Sequence, residues 1–223
     1  MTTGVPLMGL YPSHERPVGV FDSGIGGLSV LKALRAELPH GNFIYLADSG
    51  HAPSGQRDTA QLQARARAIT QYLVEQGVHA LVIACNTATA AAVDLLREQH
   101  PDLPIIGVEP AIKPAVAISK TGRVGVKATR STLASARFQT LLGAHLAQAP
   151  AVSLQFQPCD GLADAIEQNT GKWNATEIIA ACASHMRAMG IFGSKKARST
   201  HGCWIARTTR WSARRCRRWS GRR

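Results

Sequence analysis

The run Ala80-Leu-Val-Ile-Ala84 does most to limit what this chain can fold into. Its five apolar residues stop at Cys85-Asn86-Thr87 and give way to the Ala-rich segment 88–93. A continuous apolar run without alternation belongs to a strand covered on both faces, as in a parallel sheet, and the helix-prone segment behind it makes the pair a strand feeding a crossover helix. In open parallel sheets ligands collect at the carboxyl ends of the strands, where the next helix offers unpaired N–H groups and a partial positive charge. Cys85 stands at that point, with Asn86 and Thr87 as donors beside it. A thiol so placed is a candidate nucleophile or proton carrier; taken alone, it also reads as an ordinary small buried side chain.

The same handover recurs along the chain. Pro17-Val-Gly-Val-Phe21 is a short strand, followed by Asp22-Ser23-Gly24-Ile25-Gly26-Gly27 and a helix with Leu28, Leu31, Leu34 and Leu38 on one face. The glycine spacing fits neither the dinucleotide fingerprint nor a P-loop, which argues against a nucleotide site. What the turn offers is a carboxylate and a hydroxyl, Asp22 and Ser23, which serve either a site or the cap of the next helix. Asn42-Phe-Ile-Tyr-Leu-Ala47 is a second strand. It leads into the polar loop Asp48-Ser-Gly-His-Ala-Pro-Ser-Gly55 and a helix over 59–76 that repeats Leu62, Ala66, Ile69 and Leu73 and closes at Gly77.

A second series opens at Pro104-Ile-Ile-Gly-Val108. It continues through strands at 123–127 and 152–156, a helix carrying Leu133, Phe138, Leu141 and Leu142, and two helical stretches through Ile166 and Ile178. Strand and helix in alternation call for parallel sheets with helices on both faces. The expected fold is α/β: two tandem doubly wound parallel-sheet domains, 17–100 and 101–194, with a cleft between them and a disordered leader over 1–16.

The formal charge of +12 is concentrated at one end. Residues 195–223 hold 11 Lys+Arg and no acid, leaving 15 basic against 14 acidic groups in the rest. Total charge therefore speaks only for that tail. Five cysteines without a CxxC pair suit reduced thiols in a cytoplasm, and no apolar run approaches membrane-spanning length. His201, Cys203 and Cys216 lack zinc-site spacing, so no metal is expected. Cys159 and Cys182 read as structural, with Cys159 the more reactive of the two.

Several of these segments together resemble the glutamate racemase family of the aspartate/glutamate racemase superfamily: Gly19-Val-Phe-Asp-Ser-Gly-Ile-Gly-Gly-Leu28, Tyr45-Leu-Ala-Asp48 with its loop, Ala84-Cys-Asn-Thr-Ala88, Gly107-Val-Glu-Pro110, and Val124-Gly-Val with Ala128, Thr129 and Thr132. The resemblance implies inversion of an amino-acid α-carbon without a cofactor, one thiolate removing the proton from one face while a thiol delivers one to the other. It implies that Cys85 is one of the two sulfurs, that Asp22 and Ser23 contact the substrate near its amine, with Asp22 helping Cys85 lose its proton, and that Asn86, Thr87 and Ser54-Gly55 hold the carboxylates. It also implies glutamate as substrate, D-glutamate supply for peptidoglycan in the cytoplasm, and no membrane partner, and it leaves room for a homodimer. Aspartate or another amino acid is the alternative substrate. The family's Pro-Tyr-Gly stands here as Pro53-Ser54-Gly55, removing an aromatic cover from the pocket.

The larger departure is that the family's second catalytic motif, Cys-Thr-His behind an apolar strand, is absent. In the family the chain also returns after the second domain to complete the first, and that return is missing. Residues 195–223 show no apolar periodicity, and three tryptophans among eleven cations are not expected to make a strand. Back-translating 196–222 and reading one register over yields Gly-Glu-Ile-Asp-Thr-Arg-Val-Leu-Asp-Cys-Thr-His-Tyr-Pro-Leu-Val. The single-codon Trp204, Trp211 and Trp219 leave that agreement little freedom. The expectation is a frame-shifted, truncated C-terminus, with the second catalytic cysteine encoded where Ile205 and Ala206 stand. The alternative is a non-catalytic remnant whose Arg- and Trp-bearing tail binds nucleic acid, a partner the body of the chain gives no reason to expect.

Overall fold

The computed structural model describes residues 15–52, 54–119, 122–148, 151–168, 175–189 and 203–205. The chain divides into two compact units, Met1–Glu109 and Pro110–Arg223.

In the first unit β1 (Val18–Asp22), β2 (Phe43–Ala47), β3 (Ala80–Ile83) and β4 (Ile105–Gly107) form a parallel sheet in the order β2-β1-β3-β4. The two central strands, β1 and β3, are buried along nearly their whole length. Phe21, Leu81 and Ile83 face α2 (Thr59–Glu75) and α3 (Asn86–Gln99), packing with Leu73, Ala92 and Leu96, while Val20, Val82 and Ala84 face α1 (Leu28–Glu37) through Leu31 and Leu34. Leu73, Leu81, Ile83 and Leu96 are fully buried, the kind of side chain whose truncation to alanine costs about 2–5 kcal/mol.

Successive connections run outward in opposite directions from β1 and β3, so the strand order reverses between them. That reversal opens a crevice at their carboxyl ends, where neighbouring crossovers leave on opposite faces. At the start of α2 the Asp58 side chain, a cap the sequence reading did not name, accepts from Gln61 N at 2.7 Å. At its other end Gly77, at φ 79°, closes a Schellman turn in which Val78 N donates to Leu73 O and Gly77 N to Val74 O.

Two boundaries differ from the expectation. The strand at 105–107 was assigned to a second domain beginning at 101, yet it pairs with β3, Val82 opposite Ile106. A strand's composition marks it as buried but does not say which sheet receives it. Glu15 and Arg16 fall in the expected leader. Arg16 nonetheless donates to Gly77 O and Val78 O at 3.1 Å each, and Asn42 donates to Glu15 O at 2.9 Å. The rest of that leader, 1–14, lies outside the described residues.

The second unit holds α4 (Ile112–Ile118), β5 (Arg123–Ala128), α5 (Arg130–Ala134), α6 (Ala136–Gln148), β6 (Ser153–Pro158), α7 (Leu162–Gln168), α8 (Ala175–Ala188) and β7 (Cys203–Ile205). Its sheet is parallel in the order β6-β5-β7. The expected single helix after β5 is two, broken at Ser135, whose Oγ accepts from Phe138 N at 3.2 Å and so starts a new helix. Thr129 caps the first, its Oγ1 accepting from Thr132 N at 3.2 Å.

β7 corrects the expectation that the tail forms no strand: Cys203, Trp204 and Ile205 pair with Val124, Gly125 and Val126. The tail's average composition is that of an unpacked segment, but this tripeptide joins an aromatic to a β-branched residue, both favoured in strands, and the free side of β5 accepts it. The remainder of 195–223 lies outside the described residues.

Candidate active site

Cys85 is the N-cap of α3. Its backbone is extended (φ −108°, ψ 122°), and its sulfur accepts from Ala88 N at 3.4 Å, filling the place an Asp or Ser oxygen takes in most caps. The residue is 6 % exposed and packs into the core on its β3 side, as the plain buried-cysteine reading requires. Its other side is polar. Ser23 Oγ lies 3.4 Å from Cys85 Sγ, and Ser54 Oγ lies 3.9 Å from the sulfur while donating to Ser23 Oγ at 3.1 Å. Three residues separated by 31 and 62 positions thus meet at one thiol, because the strand-order reversal brings the ends of β1 and β3 together and the β2–α2 loop covers them.

Asp22 is buried at 7 % exposure, and its Oδ2 accepts from Gly27 N at 2.6 Å. Tyr45 Oη donates to Gly24 O at 2.8 Å, so the turn between Asp22 and α1 is held from β1 and from β2. The expected capping role is not the one found: Gly27 is the N-cap of α1 with no side-chain cap bond, and the Asp22 carboxylate instead ties down the turn ahead of the helix. Ser23, next in sequence, is the residue that reaches the thiol. Asn86 and Thr87 lie in the first turn of α3; Thr87 is buried, and Asn86 Oδ1 is a buried acceptor with no donor among the described residues. Gly55 sits in the short 3-10 turn Ser54–Gln56 beside Ser54.

Sequence reasoning passed over a charged cluster at the base of the loop. Arg65 on α2 donates to Asp48 through Nη2 at 2.7 Å to Oδ1 and Nε at 3.1 Å to Oδ2, and His51 Nδ1 lies 3.0 Å from Oδ1. Asp48 closes the Tyr45-Leu-Ala-Asp48 segment, so the acid was visible; its partner seventeen residues on was not. Burial alone would raise the Asp48 carboxyl, but the Arg65 bonds and charge, followed by those of His51, hold it below the ordinary value. A carboxyl lowered in the folded state adds stability above its unfolded value of about 3.9, and that stability is lost as pH falls through the lower folded value. Asp48→Asn is accordingly expected to cost about 1 kcal/mol or less at pH 7, Arg65 being partly exposed, and to converge with the parent at acid pH once the Asp48 carboxylate is protonated. Urea unfolding at both pH values measures this; an equal cost at both would show that charge plays no part.

The second unit contributes a contrast. Cys159 was expected to be the more reactive of the two structural thiols, but it is buried with its S–H donating to Gln157 O at 3.5 Å. Burial pushes its thiol up to about 11, with the Lys127 charge offsetting only part of the rise. At pH 8 its thiolate is then about one part in a thousand. Iodoacetamide at that pH is expected to leave Cys159 unmodified in the folded protein and to modify it once urea has unfolded the chain. Modification at equal rates in the two states would refute the burial argument.

No described helix is long and apolar enough to cross a membrane. Residues 28–193 match the Asp/Glu/Hydantoin racemase family. The chain is 51% identical over 153 residues to a glutamate racemase of Ectopseudomonas mendocina (strain ymp), covering 69% of this chain and 57% of that protein. It is 60% identical over 129 residues to one of Ralstonia nicotianae (strain ATCC BAA-1114 / GMI1000), covering 58% of this chain and 46% of that protein. It therefore spans about half the length of these curated relatives. Among solved structures, glutamate racemase from Francisella tularensis subsp. tularensis SCHU S4 in complex with D-glutamate superposes with a TM-score of 0.61 at 33% identity, over 75% of this chain and 61% of that chain. With a capping thiol at the strand-order reversal and a match over most of its residues, the chain belongs to the Asp/Glu/Hydantoin racemase family.

Proposed function

We propose that this chain carries the first half of a cofactor-independent glutamate racemase site, with Cys85 as one of two proton-transferring sulfurs. The observation that carries the reading is the meeting of Ser23 and Ser54 hydroxyls with the Cys85 sulfur at the head of α3. In the forward half-reaction Cys85 as thiolate takes the α-proton and becomes a thiol, and the electron pair left on the carbon delocalises into the adjacent carboxylate. A second thiol on the opposite face gives its proton to that carbon, inverting it, and is left as thiolate. Asp22 and Ser23 serve the amine side, and Asp22 helps Cys85 lose its proton; Asn86, Thr87, Ser54 and Gly55 serve the carboxylates. The product is D-glutamate for peptidoglycan, made in the cytoplasm.

The second sulfur is the part this chain does not encode in its present register. Strand β7 coincides with the codons that spell Val-Leu-Asp one register over, directly ahead of Cys-Thr-His, and that coincidence supports a frame shift near Lys195. As written, the chain is expected to racemise L-glutamate at background rate in a coupled assay for D-glutamate. Turnover comparable to an intact family member refutes the impairment. Millimolar glutamate is expected to slow iodoacetamide modification of Cys85, and aspartate to do so less. Modification indifferent to both amino acids removes the site assignment; equal protection by aspartate moves the substrate.

A further inference from the structure

We propose that Asp48 and Arg65 are positioning residues: their ion pair sets where the 48–57 loop places Ser54, and through Ser54 it governs access to the Cys85 thiol. This rests on the reading of Cys85 as the reacting thiol.

No side chain described between Asp48 and Arg57 is buried, so apolar packing supplies almost none of the loop's order. Beneath it lies a cavity of about 30 Å³, room for a water or two, floored by Phe21, Leu62, Ala66 and Ile69 and walled by Arg57 and Arg65. The loop therefore spans a void and is fixed by polar ties at its two ends.

At the first end Asp48 N donates to Asp22 O at 2.9 Å, fastening the loop's start to the end of β1. The Asp48 carboxylate then takes both Arg65 bonds and faces His51. Paired bonds from a guanidinium to a carboxylate fix direction as well as distance, so the loop base is locked to a helix that belongs to the core. At the second end Arg57 Nε donates to His51 O at 2.8 Å, and Arg57 N donates to Ser54 O at 3.2 Å. The chain of contacts runs from Arg65 to Asp48, to His51, to Arg57, to Ser54, and from the Ser54 hydroxyl to Ser23 and the sulfur. The Asp48–Arg65 pair ties the base of the loop to a core helix and the Ser54 hydroxyl ties its far end to Ser23; the links between them join residues of the same loop, so a shift at the base is passed along to Ser54.

The test is the rate at which iodoacetamide modifies Cys85 in the full chain, followed by mass spectrometry of the Cys85 peptide under conditions where circular dichroism shows the fold intact. Ser54→Ala is expected to raise the rate about three- to ten-fold by removing the hydroxyl that covers the sulfur. Asp48→Asn is expected to raise it by a similar factor, and Asp48→Asn with Ser54→Ala together no further, because both open the same cover. Arg65→Lys, which keeps the charge and one hydrogen bond, is expected to fall between the parent and Asp48→Asn, a graded rescue that general loosening of the loop does not predict. Should Asp48→Asn fold poorly, Arg65→Lys against Ser54→Ala carries the comparison. A Cys85 rate unchanged in Asp48→Asn and Arg65→Lys but raised in Ser54→Ala overturns the proposal and leaves the site reading standing. Fully additive effects in the double variant overturn it as well. A rate unmoved by Ser54→Ala overturns the proposal together with the placement of Ser54 at the reacting thiol.

Discussion

Restoring the register after Lys195, so that the codons now read as Cys203–Arg223 encode the Val-Leu-Asp-Cys-Thr-His strand end, is expected to raise D-glutamate formation by about 10²–10⁴ over the chain as written. Stereoinversion needs a proton acceptor on one face and a donor on the other. A single thiolate can remove the α-proton, but it returns the proton to the face it came from, so under the two-thiol mechanism proposed above a lone sulfur costs the reaction its outcome as well as its rate. The gain is expected to vanish in Cys85→Ser of the restored protein, because the two sulfurs work as a pair and the loss of either leaves the same half-reaction. A coupled assay for D-glutamate reads both effects. An equal rate from the written and restored chains, each sensitive to Cys85→Ser, would mean that the second proton comes from a group present now.

Gly27→Ala is expected to lose about 2–3 kcal/mol of folding stability. A Cβ at this position would stand 2.5 Å from Asp22 Cβ, 2.8 Å from Tyr45 Oη and 3.1 Å from Ala84 Cβ. Two of those three atoms are carbons fixed to strand or strand-end backbone, which a rotamer change cannot move. The collision falls on the amide that binds the Asp22 carboxylate at 2.6 Å, so the turn that delivers Ser23 to Cys85 shifts with it. Gly50→Ala is the control, since its Cβ would meet nothing within 4 Å. The urea midpoint, compared at constant m, measures the difference. Matching midpoints for the two variants would show that the three-strand contact at Gly27 has slack to spare.

These two expectations draw on different kinds of information. The handover from apolar strand to helix at Cys85, the Asp22-Ser23 turn and the Gly77 end of α2 were legible because each rests on residues adjacent in the chain. Hydrophobic runs, caps and positive-φ glycines act within a few residues. The Ser23–Ser54–Cys85 grouping was legible only through family resemblance, as nothing local links residues 31 and 62 positions apart. Arg65, which bonds Asp48 from α2, was not singled out because an arginine flanked by Ala64 and Ala66 carries no local mark of a partner seventeen residues away.

By itself the sequence determined that the chain alternates strand and helix, that its central strands are covered on both faces, and that a thiol caps the helix behind β3. Tertiary structure alone decided that the strand at 105–107 joins the first sheet, that Cys203–Ile205 finds a place beside β5 despite its surroundings, and that Arg65 on α2 meets Asp48 at the start of the loop. The physical reason is the same in each case. Burial and backbone hydrogen bonding specify that a strand must find a neighbour and a charge a partner, but which one it meets depends on the packed arrangement of segments far apart in the chain.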